Sequence, residues 1–202
     1  MVSGKLVAQA ERIFMKRGGM LRTAEALRAG IHPRTLYFMR DREMIVVLSR
    51  GLFRLASLPA MGNPDLVTAA ARIPAAVVCL VSALAFHGIT TQIPRQVDLA
   101  LPRGSKDPKV DFPPVRIFHF SPAAFRSGIE THAMDGIRVR IFGPSRTVVD
   151  CFRLRGRLGR DIAVEALQLS LRRGKATPAE ILRHARSLRM ERVMMPYLEA
   201  MQ

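Results

Sequence analysis

Tryptophan is absent from this chain of 202 residues, and aromatic residues make up only 6% of it. A folded core must therefore be built mainly from Leu, Ile, Val, Met and Ala. Apolar residues still account for 49% of the sequence, which excludes a chain that is disordered throughout. A chain of this length has room for one large domain or two small ones.

Cysteine is also scarce: Cys79 and Cys151 are the two present, and both lie in apolar runs. This excludes a disulfide framework and predicts two buried thiols. The five histidines do not fall at the spacing of metal ligands. The sequence therefore predicts no metal site and no cofactor.

No apolar run is long enough to cross a bilayer. The longest, residues 73–86, is interrupted by Pro74, Cys79 and Ser82. The N-terminus also lacks the continuous apolar segment of a signal peptide. These absences predict a cytoplasmic protein without a membrane partner.

Acidic residues are few, with 16 Asp+Glu against 32 Lys+Arg and a formal net charge of +16. The imbalance is strong in residues 1–56, which hold 11 basic and 4 acidic residues. Such a charge favours a polyanionic partner, above all nucleic acid. The alternative is a basic surface that is merely solvated.

The first 55 residues contain the pattern of a winged helix-turn-helix, a fold that places one helix in a DNA groove. A helix is predicted over 5–16, and a short helix follows with Thr23 as its N-cap and Gly30 at its end. Ala26 and Leu27 of that short helix are expected to face inward.

A second short helix is predicted to begin at Pro33, because proline is tolerated in the first turn. Its inward residues are expected to be Leu36 and Met39. The β-branched run after Ile45 and the segment ending at Leu55 then predict a hairpin, which forms the wing.

The candidate DNA contacts lie around the second short helix and on the hairpin. Arginine pairs with guanine edges, and hydroxyl groups pair with phosphate or bases. Of the aromatic side chains Tyr37 and Phe38, one is expected to stack on sugar or to touch a thymine methyl if both are exposed. The alternative is that one of them packs beneath the wing. A solvated helix face is the alternative for the whole set. The candidates are Arg22, Thr23, Arg34, Thr35, Tyr37, Phe38, Arg40, Arg42, Ser49, Arg50 and Arg54.

Residues 58–64 contain two prolines, a glycine and an asparagine, a composition that predicts a linker. The expected division is a DNA-binding domain over 1–57, this linker, and a C-terminal domain over 65–202. In the second domain the pattern predicts a helix over 75–86, several strands, a hairpin across Asp135-Gly136 and closing helices. Helix runs around a small sheet give an α+β class.

No catalytic residue is predicted. Ser82 lies within a predicted helix, and Asp98, Asp107 and Asp111 are too scattered to assign acid and base roles. Two alternatives to a DNA-binding regulator stay open. One is a nuclease or nucleotidyltransferase targeted by the N-terminal module, and the other is a protein-interaction module whose basic surface is incidental.

Several segments together resemble AbiEi-type antitoxins, in their order as well as their sequence. In the N-terminal part these are Gly30–Leu36 and the wing Leu48–Leu55. In the C-terminal part they are Ser82–Thr90, Val97–Pro102 and Pro144–Phe152. The resemblance covers nearly the whole chain.

The resemblance implies a transcriptional repressor that binds inverted repeats in its own promoter and acts as the antitoxin of a type IV toxin–antitoxin, or phage-defence, pair. It also implies a nucleotidyltransferase-like toxin as partner, neutralised by the C-terminal domain. That domain would share the nucleotidyltransferase-like fold but lack activity, since Val97–Ala100 carries no paired Asp-x-Asp carboxylates. Glu43-Met44 stands where family members commonly have a glycine before the wing.

Overall fold

The computed structural model describes residues 2–201 and has an α+β architecture with two β-sheets. The three-stranded sheet is antiparallel, and the five-stranded sheet is mixed. The helices are α1 (Gly4–Lys16), α2 (Thr23–Arg28), α3 (Pro33–Asp41), α4 (Pro64–Arg72), α5 (Leu80–His87), α6 (Pro122–Arg126), α7 (Pro144–Arg153), α8 (Arg155–Leu158), α9 (Arg160–Arg172), α10 (Pro178–Ser187) and α11 (Glu191–Glu199). The strands are β1 (Met20–Arg22), β2 (Ile45–Ser49), β3 (Leu52–Leu55), β4 (Val77–Val78), β5 (Val97–Pro102), β6 (Val115–Phe120), β7 (Ile129–Met134) and β8 (Ile137–Phe142).

Internal contacts divide the chain into two compact units. The first comprises residues up to Pro74 together with Lys109–Pro113 and Ala133–Val139, and the second comprises the rest. Helix α4 thus lies in the first unit, although the sequence pattern assigns it to the C-terminal domain. No pattern in the sequence indicates that Lys109–Pro113 and Ala133–Val139 belong to the first unit, because this depends on contacts between segments that are distant in the chain.

The first unit begins with α1, whose buried side chains Val7, Ala10 and Phe14 recur at helical spacing on one face. In α2, Ala26 is buried as predicted, but Leu27 is 42% exposed. A helix of six residues has only a narrow buried face, so the inward prediction for Leu27 was wrong. The N-cap of α2 is Arg22 and not Thr23, which is already the first helical residue.

Strands β1, β3 and β2 form an antiparallel sheet in that order. The wing is the hairpin of β2 and β3, and Gly51 in its turn has φ +70°, a conformation that glycine adopts without strain. The order of these elements, from α1 through the helix-turn-helix of α2 and α3 to the hairpin, is the arrangement expected of a winged helix-turn-helix.

The second unit holds most of a five-stranded sheet with the order β6-β5-β4-β8-β7. The single helix predicted over 75–86 was wrong at its start, because Val77-Val78 forms β4 and pairs with both β5 and β8. Two adjacent β-branched residues buried between strands favour an extended backbone. Helix α5 begins only at Leu80.

The hairpin of β7 and β8 turns at Asp135-Gly136 as predicted, with φ of +47° and +77° at these two residues. Cys79 and Cys151 are free and fully buried, which confirms the prediction of two buried thiols. Burial raises the pKa of both thiols well above its ordinary value. Neither is therefore a reactive thiolate at neutral pH.

Candidate nucleic-acid interface

Helix α3 presents one polar face to solvent. His32 is its N-cap, and the Nδ1 atom of that ring accepts a hydrogen bond of 3.1 Å from the backbone N–H of Arg34. Pro33 occupies the first turn, as the sequence predicts. Leu36 and Met39 are almost fully buried, which confirms the inward positions. This packing fixes which side of α3 remains outside.

Arg34 and Tyr37 lie three residues apart on the exposed side, where helical neighbours meet. Tyr37 is 46% exposed, a large value for an aromatic side chain. Arg40 lies over the Tyr37 ring, with its guanidinium carbon 4.9 Å from the ring centroid. The same guanidinium donates two hydrogen bonds, of 2.9 and 2.8 Å, to Oδ1 of Asp41. The exposed face therefore offers Arg34 as its least engaged cation.

Phe38 and Arg42 lie at the border of this face. The Phe38 ring is half-buried and packs against the core of the first unit. The Arg42 guanidinium carbon lies 5.3 Å from the centroid of the Phe38 ring. Of the two aromatic candidates, Tyr37 is thus the exposed one and Phe38 is the one that packs inward.

Three predicted contact residues are buried. Thr35 is 4% exposed, Ser49 is 4% exposed and Arg54 is 7% exposed. Arg54 directs its guanidinium to the backbone carbonyls of Leu58 and Pro59. Thr35 and Arg54 are therefore not available on the surface, contrary to the expectation from the sequence. A helical or strand position alone does not reveal which other segment covers a side chain.

Two other predicted residues stabilise the wing module from inside. Arg22 Nε donates a hydrogen bond of 2.8 Å to the carbonyl of Ala71, in α4. Thr23 donates both its backbone N–H, at 2.9 Å, and its hydroxyl, at 3.3 Å, to the carbonyl of Gly51. Arg22 and Thr23 thus hold the wing and α4 in place rather than project toward solvent.

At the tip of the wing, Arg50 is exposed. Its backbone N–H donates a hydrogen bond of 2.9 Å to Oδ2 of Asp111, and the Ser49 hydroxyl donates one of 2.7 Å to Oδ1 of the same carboxylate. These two donors hold the pKa of Asp111 at about 2. The Arg50 side chain itself remains available on the surface.

Sequence reasoning missed two residues that contact the wing, Arg72 and Asp111. Arg72 Nη1 donates a hydrogen bond of 2.7 Å to the carbonyl of Arg50. Both residues are far along the chain from the hairpin, beyond the predicted linker. Only the fold brings them there, and no local pattern of one sequence could have found them.

The carboxylates that an enzymatic alternative would need are each engaged elsewhere. Asp98 is 1% exposed and receives hydrogen bonds from Arg116 Nε (2.8 Å) and Nη2 (3.0 Å). Burial raises its pKa, against the opposing effect of Arg116. Asp107 pairs with His119 at 3.2 Å. Asp111 is bound at the wing, so each of the three carboxylates has a different partner.

Within residues 2–201, no group of three or more His, Cys, Asp or Glu side chains is placed to hold a metal ion. In the same part of the chain, none of the helices combines the length and apolar character needed to cross a membrane.

Comparison with known proteins identifies a family model and a solved structure that are similar to this chain. Residues 9–56 match a family model described as a transcriptional regulator, AbiEi antitoxin. The crystal structure of the RV2827C protein from Mycobacterium tuberculosis has a similar fold, with a TM-score of 0.65 and 12% identity over 97% of this chain and 78% of that chain. No curated protein sequence matches. Over residues 9–56 the chain therefore matches the AbiEi antitoxin family of transcriptional regulators, and the resemblance expected from the sequence is confirmed there.

Proposed function

We propose that this chain is a transcriptional regulator that binds double-stranded DNA through α3 and the wing. The observation that carries the proposal is the exposed face of α3, where Arg34 and Tyr37 stand outside a well-packed helix. Helices of this kind read base edges in the major groove, while a wing contacts the flanking backbone. Arg50 at the wing tip suits that second role.

Charge supports the same proposal. The chain carries a formal net charge of +16, so long-range attraction to a duplex accompanies the local contacts. Binding is expected to weaken steeply as salt rises, because each neutralised phosphate releases counterions.

Arg34→Ala is expected to weaken specific DNA binding by about 1–3 kcal/mol, because we propose that its guanidinium reads a guanine edge. The measurement is fluorescence anisotropy with a duplex from upstream of the gene and with a random duplex of equal length.

Arg12→Ala is the matched control, because it removes the same charge as Arg34→Ala. Arg12 is exposed on α1, on the side opposite the buried face of that helix. Equal losses on both duplexes for Arg34→Ala would exclude a base-reading role.

We further propose that the regulator represses its own operon as the antitoxin of a type IV toxin–antitoxin pair in phage defence. The match of residues 9–56 to the antitoxin family supports this. The expected operator is an inverted repeat in the promoter, the expected partner is a nucleotidyltransferase-like toxin, and the expected compartment is the cytoplasm. A toxin gene beside this one would be the first test.

The second unit is proposed to be a nucleotidyltransferase-like fold without catalytic activity. Supporting this, Asp98 lies on a central strand but gives both its carboxylate oxygens to Arg116. While this pair is in place, the carboxylate has fewer lone pairs left to coordinate a divalent ion. The alternative, a nuclease or nucleotidyltransferase, would require Asp98 to be released from this pair.

The division at residues 58–64 is also a proposal. Most of this segment is exposed, although Arg54 holds the carbonyls of Leu58 and Pro59. Limited digestion with proteinase K is expected to cut first between Ala60 and Asn63, where the backbone is least held. Mass spectrometry identifies the site. A segment 58–64 that stays uncut would mean that the two parts pack as one unit and that 58–64 is no linker.

A further inference from the structure

The turn at the tip of the wing contains a small set of donors arranged around an anion. The Ser49 hydroxyl and the Arg50 backbone N–H point to the two oxygens of one carboxylate, at 2.7 and 2.9 Å. The anion is Asp111, from a segment of the first unit that lies 61 or more residues further along the chain.

Other contacts hold this turn from behind, so its donors have a fixed direction. Arg72 Nη1 donates to the carbonyl of Arg50 at 2.7 Å. The backbone N–H of Thr23 donates to the carbonyl of Gly51 at 2.9 Å. The carbonyls of Arg50 and Gly51 thereby have hydrogen-bond donors of their own, while the Ser49 hydroxyl and the Arg50 N–H donate to an anion. The geometry exists before any ligand arrives, as a preorganised site requires.

The same donors suit a phosphodiester oxygen. Phosphate groups of DNA receive hydrogen bonds mainly from serine hydroxyls, backbone N–H groups and arginine side chains. Ser49 and Arg50 provide all three kinds of donor within two adjacent residues. The same two donors lower the pKa of Asp111 to about 2. Its carboxylate is ionised at every pH at which DNA binding is measured.

We propose that the Ser49 hydroxyl and the Arg50 N–H form a binding site for a backbone phosphate of DNA, which Asp111 occupies in the free protein. A duplex phosphate displaces the carboxylate when the wing docks, so Asp111 is an internal competitor that weakens DNA binding. This inference rests on the proposed function, because it assigns one of its phosphate contacts.

Displacement needs only a local movement of the competing segment. Within Lys109–Pro113, Lys109, Asp111 and Phe112 are exposed, and Phe112 is 48% exposed despite its apolar ring. An ion pair or hydrogen bond at such a surface contributes little stability. The contact is thus strong enough to occupy the site in the free chain and weak enough to yield to a polyanion.

The first experiment uses Asp111→Ala in the full chain, with Asp107→Ala as the charge-matched control from the same loop. Affinity for a duplex is expected to rise about three- to tenfold above that of Asp107→Ala, since a competing acceptor is removed as well as a charge. Adding Ser49→Ala to Asp111→Ala is expected to abolish most of this gain, because the phosphate then loses the hydroxyl donor. Thermal unfolding of each variant confirms that it is folded.

The second experiment needs no DNA. Inorganic phosphate is titrated into ¹⁵N-labelled protein, and the amide resonance of Arg50 is followed. In Asp111→Ala it is expected to shift and saturate at lower phosphate than in the wild type or Asp107→Ala. If it shifts in this way while no duplex binds, the phosphate site stands and the proposed function fails. If duplexes bind but Asp111→Ala is no tighter than Asp107→Ala, the inference is overturned.

Discussion

Asp150→Asn is expected to lower the free energy of unfolding by about 3–5 kcal/mol, because it leaves a buried arginine without its counter-ion. Arg146 and Asp150 are both completely buried on α7, and Nε of Arg146 lies 2.9 Å from Oδ2 of Asp150. Arg146 also donates to the carbonyl of Ser127 at 3.0 Å and lies 4.6 Å from the ring centroid of Phe142. The asparagine amide keeps the shape but not the charge.

Burial raises the pKa of Asp150 above its ordinary value, against the opposing effects of Arg146 and Arg153. A carboxyl whose pKa is raised by folding binds its proton more tightly in the folded chain, so its own protonation does not oppose folding as pH falls. The expected loss in Asp150→Asn therefore rests on hydrogen bonding. Nε and Nη2 of Arg146 donate to the two carboxylate oxygens, and the asparagine amide replaces one of these acceptors with a donor.

Urea unfolding followed by circular dichroism measures this effect. Asp107→Asn is the control, because Asp107 pairs at the surface and its side chain is 66% exposed. It is expected to change stability by less than about 1 kcal/mol. The double variant Arg146→Met/Asp150→Leu is expected to be more stable than Asp150→Asn, because neither buried charge remains. A cost below about 1 kcal/mol for Asp150→Asn would contradict this account.

Local features of the fold were predictable because they depend on neighbours in sequence. Pro33 at the start of α3 and the turn at Asp135-Gly136 each carry their own backbone preference, and the structure has both. The run at 75–86 was harder, since an apolar segment suits a buried helix or a buried strand equally well. Val77 and Val78 form strand β4 because they pair with β5 and β8, which is an effect of tertiary structure.

The candidate interface shows the same limit. Helical spacing placed Leu36 and Met39 inside, which leaves Arg34 and Tyr37 outside. It could not show that Arg54 is buried under a following loop. It also could not show that Asp111 reaches the wing from 61 residues away. Periodicity reports the direction of a side chain relative to its own element, whereas these two facts depend on which distant segment covers it.

Arg34→Ala/Arg40→Ala is expected to abolish promoter repression while leaving toxin neutralisation intact. Both side chains belong to the exposed face of α3, and each removed contact is expected to weaken operator binding by about 1–3 kcal/mol. If the two losses add, affinity falls by about thirtyfold or more. Repression is read from a reporter fused to the promoter, and neutralisation is read from growth when the neighbouring toxin gene is expressed.

The expected separation follows from how the second unit is built. Its hydrophobic core is formed by its own residues, including Leu84, Phe142, Phe152, Leu167 and Met194, all of which are buried. Surface substitutions on α3 do not touch that core. A surface of the second unit that engages a toxin would therefore keep its shape when DNA binding is lost.

The control for this variant is Arg12→Ala/Lys16→Ala, which removes two charges from exposed positions four residues apart on α1. It is expected to keep both repression and rescue, apart from a small loss of affinity that is equal on all sequences. Loss of rescue by the folded Arg34→Ala/Arg40→Ala protein, with rescue kept by the control, would mean that α3 itself takes part in neutralisation. Repression and neutralisation would then depend on one surface, and toxin and operator would compete for the same antitoxin.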